Sequence, residues 1–252
     1  PELHVVFSGS SVLDITKGVQ SDLSRRAVVY TLYGLSFREY LELFEGIKAQ
    51  PYTLDEVVAH KVEMSEGFRP LVHFKKYLEK GYYPFALEDD YEEKLAMVVA
   101  KTLETDIPEY ANMNVSTGRK LKRLMAVIAE SAPFKPNMAT LAEVLGVSRN
   151  NVADYLLYVE KAGLIIQLRD RTGGVRSLGK VDKVYLENPN LIYTLAQKER
   201  AAVGNVRETF FINQLRVIGD PIASPVSDFL VGERTFEVGG RNKKQRQIRG
   251  VE

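Results

Sequence analysis

Hydrophobic positions along the chain follow two rhythms, a helical one in the middle and short unbroken apolar runs elsewhere. Across residues 120–131, apolar side chains stand at Leu121, Leu124, Met125, Val127 and Ile128, the spacing of an amphipathic helix. A second helix is predicted over Met138–Leu145. Gly146 then supplies a tight turn, Ser148 suits the N-cap of a third helix, and Val152, Leu156, Leu157 and Val159 give that helix a buried face. Ala142 lets the helices approach closely. Residues 163–168 read as a strand, residues 169–179 as a basic, glycine-containing wing and Val181–Leu186 as the return strand. The sum is a winged helix-turn-helix.

On either side the pattern is less regular. Helical periodicity recurs at residues 54–63, 70–80 and 91–102. The acidic run Glu88-Asp89-Asp90-Tyr91-Glu92-Glu93 opens the last of these, where negative charge suits the helix dipole. Near the start, residues 3–7 form a β-branched apolar run typical of a strand buried on both faces of a parallel sheet. Ser8, Gly9, Ser10 and Ser11 would lie at its carboxyl end, where open α/β sheets bind ligands. A second such run covers residues 27–32. Towards the other end a helix is predicted over residues 205–217 and strands over 227–231 and 234–238. The expected fold class is α/β and multi-domain, divided at 1–37, 38–116, 117–187 and 188–252.

Composition narrows the function classes. With 252 residues, 45% of them hydrophobic, the chain can bury more than one core. It has no Cys, so disulfide and thiol chemistry are absent, and His4, His60 and His73 alone suggest no zinc site. No apolar run approaches the roughly 20 residues of a membrane span and no secretory signal is visible, so a cytoplasmic protein without a membrane partner is expected. The formal charge of +1 hides a sorting of charge. Residues 40–116 carry 8 basic and 15 acidic side chains, residues 117–187 carry 12 and 7, and residues 188–252 carry 10 and 7. Separate modules with different partners are implied.

Three segments in the first 41 residues occur in a telling order. Gly9-Ser10-Ser11 closes the first strand, Leu23-Ser24-Arg25-Arg26 follows, and Leu35-Ser36-Phe37-Arg38-Glu39-Tyr40-Leu41 comes next. This order resembles the prokaryotic AAA+ ATPases that join an archaeal-type ATPase core to a C-terminal domain of unknown function, and the likeness runs across the whole chain. That family has Gly before its arginine where this sequence has Arg25, so Arg26 is the match. Gly81-Tyr82-Tyr83-Pro84-Phe85 and Asp106-Ile107-Pro108 fit the family's Gly- and Pro-containing turns. The resemblance implies that residues 1–37 end a truncated AAA+ core and residues 38–116 form its helical lid or connector. It also makes Ser10 or Ser11 a sensor near the attacking water. Arg26 becomes the arginine that contacts a γ-phosphate, within its subunit or across to a neighbour in a homo-oligomer. An ordinary surface ion pair is the competing role for Arg26.

ATP and Mg²⁺ are thereby implied as cofactors of a complete ATPase. A P-loop needs a glycine-rich turn, a Lys and a Ser or Thr that reaches Mg²⁺. The nearest stretch, Gly174-Val175-Arg176-Ser177-Leu178-Gly179-Lys180-Val181, offers Val181 in place of the hydroxyl and lies in the wing. The chain is therefore expected to be a fragment that binds no nucleotide tightly by itself.

The winged helix admits two readings, a reader of double-stranded DNA and a packing or protein-binding module. In the first, Arg149, Asn150, Asn151 and Asp154 meet base edges, while Arg169, Arg171, Arg176 and Lys180 meet phosphates. At the C-terminus, Glu208, Asp228 and Glu237 follow a helix-strand-strand order that resembles a restriction-endonuclease-like domain, here partial. In active members of that fold such acids hold Mg²⁺, and a Lys two residues after the last acid orients water. Gly239 stands at that position, and Lys243 or Lys244 is a displaced substitute. The expectation is a degenerate, silent site. A DNA-binding regulator without nucleotide and a Mg²⁺-dependent nuclease are the alternatives.

Overall fold

The computed structural model describes residues 30–63, 66–171, 180–196 and 202–239, with Val6, Leu13 and Val28 besides. Ser10, Ser11, Arg26, Arg176, Lys243 and Lys244 lie outside the described residues, as do all but Val6 of the strand predicted over 3–7. The strand predicted over 27–32 is corrected where it is described. Val28 and Tyr30 to Leu32 belong to no strand, and Val28, Tyr30 and Leu32 are 75%, 86% and 98% exposed. An apolar run becomes a strand only with a ladder partner, and none pairs with these residues in either sheet.

The described architecture mixes helices with two small antiparallel sheets, and the chain divides into two compact units. Residues 33–91 make the first, with helices α1 (Phe37–Glu45), α2 (Leu54–Val58) and α3 (Pro70–Glu79). The Leu35-Ser36-Phe37-Arg38-Glu39-Tyr40-Leu41 signature owes its form to a reciprocal cap. Ser36 Oγ accepts from the Glu39 amide at 3.3 Å, and the Ser36 amide donates to Glu39 Oε2 at 2.7 Å. The hydrogen bond from the Ser36 amide, then the one from its hydroxyl to the same oxygen, hold the Glu39 carboxyl below its ordinary range. Thr53 and Glu56 repeat the device on α2, which stops five residues short of its predicted end. Phe37, Tyr40, Phe74 and Tyr77 cluster on the inner faces of α1 and α3. Burial, then the hydrogen bond to Glu45, pushes the Tyr40 hydroxyl up to about 12.

The second unit contains residues 92–252. Helix α4 (Tyr91–Lys101) ends within one residue of its predicted end, but the helical path then widens into a π-turn over Thr102–Asp106 and continues as α5 (Ile107–Tyr110). Pro108 has no amide to donate and its ring crowds the preceding turn, a conflict that a wider turn relieves. Helix α6 (Ser116–Ser131) packs against this turn, and Gly118 makes the approach possible, since a Cβ there would lie 2.9 Å from Glu104 Cα.

Helices α6, α7 (Met138–Leu145) and α8 (Arg149–Lys161) follow the predicted pattern. Gly146 ends α7 at φ 62°, the left-handed region glycine favours, and Ser148 caps α8 by accepting from the Asn151 amide. The buried face of α8 is Val152, Tyr155, Leu156 and Val159, whereas Leu157, predicted inside, is 40% exposed. Strand β1 (Ile165–Arg169) pairs with β2 (Val181–Leu186), and Phe134 extends the ladder through reciprocal hydrogen bonds to Val184. The chain then adds α9 (Pro189–Leu195), α10 (Val203–Ile218) and a three-stranded meander of β3 (Ile222–Ala223), β4 (Phe229–Val231) and β5 (Arg234–Phe236).

One core joins these last elements. Ile166, Leu168 and Tyr185 of the hairpin pack with Ile212 and Leu215 of α10 and Phe229 of β4. The boundary expected between residues 187 and 188 thus runs through a shared hydrophobic cluster. A buried ion pair between Glu187 and Arg216 reinforces the seam, and Asn213 Nδ2 donates to the Glu187 carbonyl at 2.8 Å.

Candidate functional site

Two groups of side chains stand out in the second unit, one at the start of α8 and one beneath the β1–β2 hairpin. At the first, Arg149 and Asn150 are exposed. Asn151 is exposed as well, but its Oδ1 accepts from Ser148 Oγ at 2.7 Å, so part of its capacity belongs to the cap. Asp154 is exposed one turn on.

The residues predicted on the wing divide. Arg171 and Lys180 are exposed, and the Asp170 amide donates to the Lys180 carbonyl at 2.9 Å. Arg169, expected to face phosphate, turns inward instead. Its guanidinium donates to Glu160 of α8 at 2.6 and 3.2 Å, and its side chain is 16% exposed. The same carboxylate accepts from the Gln167 amide at 2.8 Å and from Gln167 Nε2 at 2.9 Å. Glu160 therefore gathers the hairpin onto the helix, because four donors converge on one carboxylate and Arg169 offers it two in a fork.

The second group contains two of the three predicted acids. Tyr185 and Phe229 are both fully buried, with ring centroids 6.0 Å apart. Strand alternation puts Lys183 on the same face as Tyr185, and Asp228 immediately precedes Phe229. The core thereby delivers Lys183 to Asp228. Its Nζ lies 3.4 Å from Asp228 Oδ1 and 2.7 Å from Glu208 Oε1, and the Tyr185 hydroxyl donates to that same Glu208 oxygen at 2.5 Å. Asp228 Oδ2 accepts from the Val238 amide at 2.9 Å. Glu237, the third predicted acid, is half-buried just beyond β5, and Gly239 is exposed.

Burial works against the Lys183 ammonium, but the hydrogen bond and charge of Glu208, with the charge of Asp228, outweigh it and hold its pKa above the ordinary lysine value. Burial first, then the charge and hydrogen bond of Glu208, keeps the Tyr185 hydroxyl protonated far above its usual range. The stabilisation from Lys183 is therefore complete through the neutral range and lost only as pH rises through the elevated folded pKa. Among the described residues, no group of three or more His, Asp or Glu is arranged to hold a metal ion. Lys183 and Tyr185 were not among the predicted site residues. Their signal is two polar-tipped side chains at i and i+2 on a strand face, without the sequence-distant partners that give it meaning.

No helix among the described residues is long and apolar enough to cross a membrane. The model of a domain of unknown function, DUF8612, matches residues 71–202, just over half of the chain. An uncharacterized protein of Methanocaldococcus jannaschii, MJ1637, is 26% identical over 176 residues, which is 66% of this chain and 37% of the relative. The chain thus spans well under half the length of that curated relative. No solved structure matches it.

Proposed function

We propose that this chain, which belongs to the DUF8612 family, is the DNA-engaging C-terminal part of an AAA+ ATPase. In this reading it is a winged helix fused to a catalytically silent, restriction-endonuclease-like segment. The observation that carries the DNA half is the start of α8. Arg149 and Asn150 stand exposed there while Val152, Leu156 and Val159 anchor the same helix in the core. An anchored helix with a polar, cationic tip is the arrangement that enters a major groove, where Arg and Asn supply bidentate contacts to guanine and adenine. Arg171 and Lys180, exposed at the base of the wing, supply phosphate contacts. The excess of basic side chains over residues 117–187 favours a polyanion over a neutral protein surface.

Fluorescence anisotropy with duplex DNA tests this. Arg149→Ala is expected to weaken binding to a preferred duplex about tenfold and to relax sequence preference. Arg171→Ala is expected to weaken all sequences alike and to lower the salt slope by about one. Binding without salt dependence, or unchanged in both variants, would assign the winged helix to packing alone.

The ATPase half rests on the resemblance of the first 41 residues, with Ser10, Ser11 and Arg26 in sensor and arginine roles. A P-loop is absent from this sequence, so titration of the 252-residue chain with Mg-ATP is expected to show no saturable heat. Tight binding would move nucleotide recognition onto residues of this chain, with the Gly174 to Val181 segment the first to be mutated.

A further inference from the structure

We infer that Lys183 serves as the built-in cation of the Glu208–Asp228 cluster, standing in for the divalent ion that a nuclease-like centre would hold. The inference rests on reading the C-terminal segment as nuclease-like, and it deepens the silence assigned above. Gly239 removes a catalytic lysine, whereas Lys183 removes the room for the metal itself.

The donor set does not fit Mg²⁺. That ion demands near-octahedral oxygen ligands at about 2.1 Å and sheds its water reluctantly. Here Glu208 Oε1 already accepts from the Lys183 ammonium at 2.7 Å and from the Tyr185 hydroxyl at 2.5 Å. Asp228 accepts from Lys183 through one oxygen and from the Val238 amide through the other. A dication bound to the inner oxygens would sit against the ammonium, and the low exposure of all three side chains, 30%, 17% and 15%, keeps water from screening that repulsion.

The strand that carries the ammonium is fixed by the core: Lys183 sits on β2 opposite Leu168, which is fully buried, and two residues before Tyr185, whose ring is part of the core. The Lys183 ammonium, the Tyr185 hydroxyl and the Val238 amide all donate to these two carboxylates, so the protein itself supplies cationic and neutral donors where a metal would bind.

The test is Mn²⁺ binding to the full chain, followed by electron paramagnetic resonance and by the thermal midpoint. Wild type and Lys183→Arg are expected to show no saturable Mn²⁺ binding and no Mn²⁺-dependent shift of the midpoint. Lys183→Met, which keeps the length of the side chain and removes its charge, is expected to bind Mn²⁺ at least about tenfold more tightly than wild type. Adding Asp228→Asn to Lys183→Met should abolish that gain. A folded Lys183→Met that binds no more Mn²⁺ than wild type overturns the inference and leaves the silent, DNA-engaging reading standing. Should Lys183→Met fail to fold, Lys183→Gln and the wild-type midpoint carry the test. Wild-type Mn²⁺ binding that Asp228→Asn removes overturns the inference, and wild-type Mn²⁺-dependent plasmid cleavage overturns the silent reading with it.

Discussion

Phe229→Ala is expected to destabilise the chain by about 3–5 kcal/mol, the range for a large aromatic lost from a closed core. Phe229 is fully buried where the β1–β2 hairpin, α10 and the terminal meander meet, with Phe211 centroid-to-centroid at 5.8 Å and Tyr185 at 6.0 Å. A loss of that size corresponds to a fall in melting midpoint on the order of 10 °C. Because the cluster draws on residues from Ile166 to Phe229, the hairpin and C-terminal signals should shift together. Thermal unfolding followed at once by near-ultraviolet circular dichroism and by limited proteolysis checks this. An early C-terminal transition with an unmoved hairpin would show that the segments on either side of residue 187 have separate cores.

Arg216→Met is expected to cost about 3–5 kcal/mol, because it removes a charged partner from a buried carboxylate. The Glu187 side chain is 8% exposed and its partner's 16%. Removing the cation takes the Arg216 charge away from a carboxylate that also accepts from Asn188 Nδ2, in a place where its backbone carbonyl is committed to Asn213. The double variant Glu187→Gln/Arg216→Met should recover much of the loss, and a double-mutant cycle in urea gives the coupling directly. Little loss in Glu187→Gln and no recovery in the double would locate the stabilisation in packing of the Arg216 stem instead.

Both seams were hidden from the sequence for the same reason. Hydrophobic patterning marks what is buried by its side-chain type, and it found α6 and α8 because Leu121, Leu124 and Ile128, and then Val152, Leu156 and Val159, recur at helical spacing, with Gly146 and Ser148 marking the turn between α7 and α8. It counts Glu187, Asn188, Asn190 and Asn213 as surface residues, yet all four are buried. The short helix α9 begins among them, Asn188 capping it and Pro189 opening it, and was not predicted. The predicted face took in Leu157 and not Tyr155, and only the phase of the helix chooses between them. The π-turn was missed because Pro108 reads as a stop in any pattern of period 3.6.

The candidate site was legible in its acids and not in its base. Glu208 and Asp228 sit in a recognisable helix-strand order, but Lys183 lies 25 and 45 positions away from them, on a strand that belongs in sequence to a different module. Arg169 errs in the opposite sense. Its neighbours Asp170 and Arg171 make the stretch look like a solvated basic wing, while its own partner, Glu160, lies on the preceding helix.

The Glu160 junction has a mechanical consequence. A hairpin held only by its own ladder can tilt about its root, so that a load at its tip dissipates as bending. With the Gln167 amide, Gln167 Nε2 and the Arg169 guanidinium all bonded to one carboxylate near the C-terminal end of α8, the hairpin and helix turn as one lever. A tug applied at Arg171 is passed to α8 as torque, and the opposite end of that lever is the capped turn that carries Arg149.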